Sequence, residues 1–76
     1  PRERRLIVAF YTTHDAMAFE DFCDEKGVEG RLIPLPRQIS AGCGLAWSAP
    51  PGDAAGLRAL LEEAGIAPLN MKELDI

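Results

Sequence analysis

A chain of 76 residues with a formal net charge of −4 has room for one domain with a thin core and none for a large enclosed cofactor. Its 47% hydrophobic content is typical of a folded globular protein. The negative balance argues against binding to a nucleic-acid backbone, which needs Lys and Arg concentrated on one face. No apolar run approaches the length of a membrane span. We therefore expect a single domain over residues 1–76, with neither nucleic acid nor membrane among its partners.

The first half of the chain predicts a strand followed by a helix. Residues 6–11 form a continuous apolar run, which is typical of a central strand. Thr12 and Thr13 suit a helix N-cap, and apolar residues then recur at helical spacing up to Gly27, a residue type that commonly ends helices. We predict a helix over about residues 14–27, with Cys23 on its buried side.

The second half predicts three more elements and completes the fold. Residues 28–34 indicate a short strand that its prolines confine to an edge, and residues 45–48 indicate another. A second helix is expected to have Pro51 in its first turn and to stop at Gly65, and a last strand lies within residues 66–74. The order βαββαβ predicts an α+β, ferredoxin-like split sandwich, in which two helices cover one face of a four-stranded antiparallel sheet.

The connection over residues 34–44, Pro-Leu-Pro-Arg-Gln-Ile-Ser-Ala-Gly-Cys-Gly, is far longer than a hairpin needs. Gly42 and Gly44 flank Cys43, so the backbone can turn sharply there and another molecule can approach the thiol. In the predicted topology this loop lies at the same end of the sheet as the start of the first helix. We therefore expect Cys43 near Thr12, Thr13 and His14.

Helix N-termini favour a thiolate over a thiol, so this placement predicts a reactive Cys43. Arg37 adds positive charge to the loop, His14 is a candidate base, and the hydroxyls of Thr12, Thr13 and Ser40 are candidate partners for a bound chalcogen or oxyanion. Each residue also has a plain structural interpretation. The hydroxyl residues serve as helix cap and turn formers, His14 and Arg37 are simply solvated, and Cys43 is a compact hydrophobe in a tight turn.

The two cysteines, Cys23 and Cys43, also bear on the compartment. Secreted domains of this size usually carry more cysteines, so we expect a reduced, cytoplasmic protein. The chain begins at Pro1 without Met, so we expect that further residues precede it. One His and two separated Cys give little support to a zinc site within one chain, and we expect no metal or cofactor.

Two segments of the chain resemble the DUF3343 family, small proteins described as putative Se/S carrier protein-like. They are Phe-Tyr-Thr-Thr-His-Asp-Ala at 10–16 and Arg-Leu-Ile-Pro-Leu-Pro-Arg-Gln-Ile-Ser-Ala-Gly-Cys-Gly-Leu-Ala at 31–46. The resemblance implies that Cys43 is a carrier thiol. It would accept sulfur or selenium from a cysteine desulfurase or selenocysteine lyase, as a persulfide or perselenide, and pass it to a biosynthetic enzyme. Such a protein is a carrier more than an enzyme in the ordinary sense.

Two other functions remain open from the sequence. One is a regulatory or ligand-binding ferredoxin-like module in which Cys43 is structural, and sheets of this type often form homodimers through their open face. The other is a redox thiol that works by disulfide exchange, for which Cys23 or another chain would have to supply the resolving cysteine.

Overall fold

The predicted order of elements is confirmed by a computed structural model that describes residues 2–76. The elements are β1 (Arg4–Ala9), α1 (Thr13–Lys26), β2 (Arg31–Pro34), β3 (Leu45–Ala49), α2 (Ala54–Ala64) and β4 (Asn70–Asp75). The four strands form one sheet in the order β2-β3-β1-β4, and each neighbouring pair is antiparallel. This is the α+β, ferredoxin-like arrangement expected from the sequence. None of the helices within residues 2–76 is long and apolar enough to cross a membrane.

The start of α1 and the ends of both helices lie at residues that the sequence indicates as caps, whereas the cap at the start of α2 is Asp53. The Thr12 hydroxyl accepts a hydrogen bond from the Asp15 N–H at 3.0 Å, and Asp53 does the same for the Gly56 N–H at 3.0 Å. Gly27 and Gly65 close the helices in the left-handed conformation, with φ of 69° and 73°. The expected place of Pro51 in the first helical turn is wrong, because Asp53 is the cap and the proline lies in the turn before it.

Two strands are shorter than the apolar pattern predicts, and local backbone contacts explain both differences. β1 ends at Ala9, since the Phe10 carbonyl leaves the sheet and accepts a hydrogen bond from the Cys43 N–H instead. Tyr11, which the prediction included in the strand, is 62% exposed. β2 begins at Arg31 and not at residue 28, because Gly30 adopts a φ of 149° against the indole of Trp47.

Buried side chains lie on both faces of the sheet. On the helix side, Phe10, Phe19 and Trp47 pack with the inward residues of both helices, and the Phe19 and Trp47 rings meet edge to face at 5.6 Å. On the other face, Ile7, Ala9 and Ala46 are also fully buried. Within residues 2–76 the buried residues of both helices pack on the first face. The second face is covered by Ile39 of the connection between β2 and β3, together with Ile33, Leu35, Leu69, Leu74 and Ile76.

Candidate functional site: the loop that carries Cys43

The β2–β3 loop, residues 35–44, folds back across the face of the sheet that the helices leave open. Its ends are joined where the Leu35 N–H donates to the Gly44 carbonyl at 2.9 Å, and a tight turn follows in which the Ile39 N–H donates to the Pro36 carbonyl at 3.0 Å. The Ile39 side chain, only 7% exposed, packs in the cluster of Ile7, Ala9 and Ala46. The loop is therefore an ordered cover with its own apolar anchor.

The other end of the loop returns to the helix side, where it presents Cys43. The Cys43 N–H donates to the Phe10 carbonyl at 3.2 Å, two residues before the N-cap of α1. This bond confirms that the loop lies at the end of the sheet where α1 begins. The side chain is half-buried against the helix-side core, and its thiol donates to the Leu45 carbonyl across an Sγ–O distance of 3.8 Å.

The glycines beside Cys43 are required by the backbone itself. Gly42 has a φ of 149°, and a Cβ there would lie 3.3 Å from the Cδ2 atom of Leu35. Gly44 has a φ of 93° with nothing within 4 Å of the Cβ position. A side chain at either position would be strained, since L-residues rarely adopt such φ angles.

The start of α1 places backbone N–H donors and exposed side chains at the end of the sheet where Cys43 lies. The first intrahelical hydrogen bond runs from the Ala16 N–H to the Thr12 carbonyl, and the Asp15 N–H is taken by the Thr12 hydroxyl. The N–H groups of Thr13 and His14 precede that ladder and have no partner within the helix. Thr13 and His14 are exposed, and among residues 2–76 no hydrogen bond or ion pair joins His14 to Cys43.

Arg37 and Ser40, the remaining predicted site residues, lie on the path of the loop away from the thiol. Arg37 lines a groove with Pro36, Gln38 and Asp75, and the Gln38 side chain donates to the Asp75 carbonyl at 3.4 Å. This groove belongs to the face opposite the helices, whereas Cys43 packs on the helix side. Ser40 is exposed between the two. The structure therefore brings Cys43, Gly42 and Gly44 to the start of α1 and separates Arg37 from them.

Cys23 has the opposite environment. Its side chain is 0% exposed in the helix-side core, which confirms the buried position expected from the helical pattern. Burial raises the pKa of this thiol to about 11 from 9.0, and the charge of Asp24 adds to the rise. Both cysteines are free thiols. Within residues 2–76, no three His, Cys, Asp or Glu side chains are grouped so as to hold a metal ion.

Sequence reasoning missed Ile39 as the anchor of the loop. A signal was available, because Ile39 is the only branched apolar residue between Pro36 and Leu45. It also missed Tyr11 and Met17, the large apolar side chains that are most exposed among the described residues. Tyr11 directly follows Phe10, to which the main chain of Cys43 is bound.

The chain matches the protein family described as "Putative Se/S carrier protein-like" over residues 5–73. No curated protein and no solved structure matched it. The matched region contains all of β1 but its first residue, together with α1, the whole Cys43 loop and α2, so it includes every candidate site residue of the sequence analysis. The chain therefore belongs to the Se/S carrier-like family.

Proposed function

We propose that this protein carries sulfur or selenium on Cys43, as a persulfide or perselenide, from a donor enzyme to a biosynthetic acceptor. The observation that carries the proposal is the contrast between the two thiols. Cys43 is partly exposed on a glycine-flanked turn at the start of α1, whereas Cys23 is fully buried. Membership of a family described as Se/S carrier-like supports the same assignment.

The transfer needs one nucleophilic thiolate and one leaving thiolate. The Cys43 thiolate attacks the terminal sulfur of a donor persulfide, the new S–S bond forms, and the donor S–S bond breaks to leave a donor thiolate. The same step with a donor S–Se bond loads selenium. A cysteine desulfurase or a selenocysteine lyase is the class of donor with this chemistry. The acceptor takes the terminal atom in a second displacement, which regenerates Cys43.

The geometry at the start of α1 supports this chemistry. The unpaired N–H groups at the start of α1 lie at the same end of the sheet as Cys43 and, with the helix dipole, favour an anion. We assign the backbone N–H groups of Thr13 and His14 to the loaded sulfur, with the side chains of these two residues in supporting roles.

The proposal is tested by transferring sulfur or selenium to the protein and measuring its intact mass by mass spectrometry. After incubation with a desulfurase and cysteine, or with a selenocysteine lyase and selenocysteine, the intact protein should gain the mass of one sulfur or selenium atom. Cys43→Ala should gain nothing, and the matched variant Cys23→Ala should load like the parent. Loading of Cys43→Ala to the parent level would end the proposal.

A second function is favoured by a specific observation. Cys43 packs against the helix-side core and its thiol bonds a carbonyl, as expected of a structural cysteine in a ligand-binding or regulatory module. The rate of alkylation by iodoacetamide separates the two functions. A carrier predicts that Cys43 reacts faster than free cysteine at neutral pH, and a structural role predicts a slower reaction.

We place this carrier in the cytoplasm, where thiols stay reduced between loading and delivery. In this proposal the protein accepts one sulfur or selenium atom for each atom that it passes on, and it catalyses no reaction by itself.

A further inference from the structure

Two arginines and a buried serine lie together on the half of the open face that the Cys43 loop does not cover. Arg31 of β2 pairs with Ser48 of β3, and Ser48 pairs with Ile7 of β1. Arg5 lies two residues before Ile7 and therefore projects from the same face, since side chains alternate along a strand. Arg31 and Ser48 thus lie in one row with Ile7, and the Arg5 side chain reaches Ser48 from two residues further along β1.

Arg5 is held in place by its neighbour on β3. Its Nε donates to the Ser48 hydroxyl at 2.9 Å, and one terminal nitrogen donates to the Ser48 carbonyl at 3.3 Å. Ser48 is 3% exposed, so this edge of the guanidinium is fixed by a buried partner. The far edge of the guanidinium remains available for a ligand, and a planar fork of this kind matches the two oxygens of a carboxylate.

Neither guanidinium is neutralised by a carboxylate contact. In the part of the chain that the structure describes, the ion pairs within 4.0 Å join Arg4 to Glu73 and Asp75, and Lys26 to Glu63. Arg5 and Arg31 belong to none of them. Glu3 and Glu29 line the same groove and balance the two positive charges, so the attraction for an anion comes from direct contact with the free guanidinium groups of Arg5 and Arg31.

The groove above this row indicates what kind of anion fits. The groove is open to solvent and has a volume of about 480 Å³, far more than a simple inorganic anion fills, and the apolar side chains of Ile33 and Ile76 line it beside the arginines. Glu3 and Glu29 also line it, and their charges disfavour a ligand with several negative groups. The combination suits a single carboxylate attached to an apolar body.

We propose that this groove binds an organic monocarboxylate, with its carboxylate between Arg5 and Arg31 and its apolar part against Ile33 and Ile76. The site is independent of sulfur or selenium transfer, because Cys43 packs on the opposite face of the sheet. Such a ligand is either a free small acid or the C-terminal carboxylate of a peptide, and the chemistry of recognition is the same for both.

The single tryptophan provides a probe of binding. The indole edge of Trp47 lies against Gly30, which lines the groove, so that the position of a Cβ at Gly30 is 2.7 Å from Trp47 Nε1. Binding in the groove should therefore change the fluorescence of Trp47 and the amide NMR signals of Gly30 and Ser48.

The test is a titration with hexanoate and with the tripeptide Gly-Gly-Ile. Saturable changes at Gly30 and Ser48 with either compound, and none with hexanamide or the amidated tripeptide, are the expected result, and the tighter binder identifies the source of the carboxylate. Arg31→Gln should weaken binding by about tenfold, as the loss of a charge-assisted contact does. The matched variant Arg58→Gln, at an exposed position of α2, should leave binding unchanged.

Three results would overturn this inference. They are no saturable change with any carboxylate, equal binding to Arg31→Gln and the parent, and stronger binding of inorganic phosphate than of hexanoate. Cys43→Ser should bind like the parent, so that failure of the carrier proposal leaves this test intact.

Discussion

The two cysteines show how one residue type acquires different properties from its surroundings. Cys23 lies in the core and its pKa is raised, so its thiol is neutral and shielded. Cys43 lies at the surface end of the same helix-side core, on a turn that only glycine neighbours allow. A carrier thiol must meet a second protein, and only Cys43 is placed to do so.

The buried thiol makes stability depend on pH in a predictable direction. Because the pKa of Cys23 is about 11 in the folded state and 9.0 otherwise, the unfolded state loses this proton first as pH rises. Its contribution to the free energy of unfolding is thus complete below about pH 9 and falls by roughly 2–3 kcal/mol towards pH 11. Urea unfolding of the parent and of Cys23→Ala at about pH 8 and about pH 10.5 checks this. The stability difference between the two should shrink at the higher pH, and a constant difference would contradict it.

The backbone at Gly44 gives a second prediction at this scale. Its φ of 93° with empty space around it means that Gly44→Ala pays only for backbone strain, about 1–2 kcal/mol of unfolding free energy. Gly30→Ala should cost more, because its Cβ would also collide with Trp47. Denaturant unfolding of both variants measures the difference. A Gly44→Ala protein as stable as the parent would show that this turn is not strained.

Among the elements, the β2–β3 loop depends on Ile39. Truncation to Ala removes the anchor from the cluster of Ile7, Ala9 and Ala46, and we expect a loss of about 2 kcal/mol in the free energy of unfolding. Gln38→Ala in the same loop removes one exposed hydrogen bond and should change stability by less than about 0.5 kcal/mol. Thermal and urea unfolding compare them, and equal effects of the two variants would show that the loop is not anchored by Ile39.

The helices and strands could be predicted from the sequence because local signals agreed with the tertiary contacts. Thr12, Gly27 and Gly65 mark helix ends by chemistry that acts within a few residues, and the apolar run of β1 reflects burial on both faces. The topology then placed the loop at the start of α1.

The path of the β2–β3 loop could not be predicted in the same way. Its fold across the open face depends on one side chain, Ile39, meeting residues far away in the chain. The separation of Arg37 from Cys43 follows from that course and has no local signature. The pairing of Arg5 with Ser48 likewise depends on strand register, which the sequence pattern leaves undetermined.

At the scale of the whole molecule, the β2–β3 loop limits self-association through the sheet face opposite the helices. The buried apolar residues of the open face, Ile7, Ala9 and Ala46, are covered by the protein's own loop and are not available to a second copy. We therefore predict a monomer at micromolar concentration, measured by light scattering after size-exclusion chromatography. Ile39→Asp should release the loop, expose Ile7 and Ala9, and produce concentration-dependent association. A parent protein that is already a dimer would contradict this view of the face.

The central claim, that Cys43 is the carrier thiol, is tested most directly by locating the loaded atom in the unaltered protein. Trypsin separates the two cysteines, since cleavage after Arg5 and Lys26 releases Cys23 in residues 6–26, and cleavage after Arg37 and Arg58 releases Cys43 in residues 38–58. After incubation with a desulfurase and cysteine, the persulfides are trapped by alkylation and the peptide masses are measured by mass spectrometry. The account predicts one additional sulfur on the 38–58 peptide and none on the 6–26 peptide. Sulfur on the 6–26 peptide, or on neither, would contradict it.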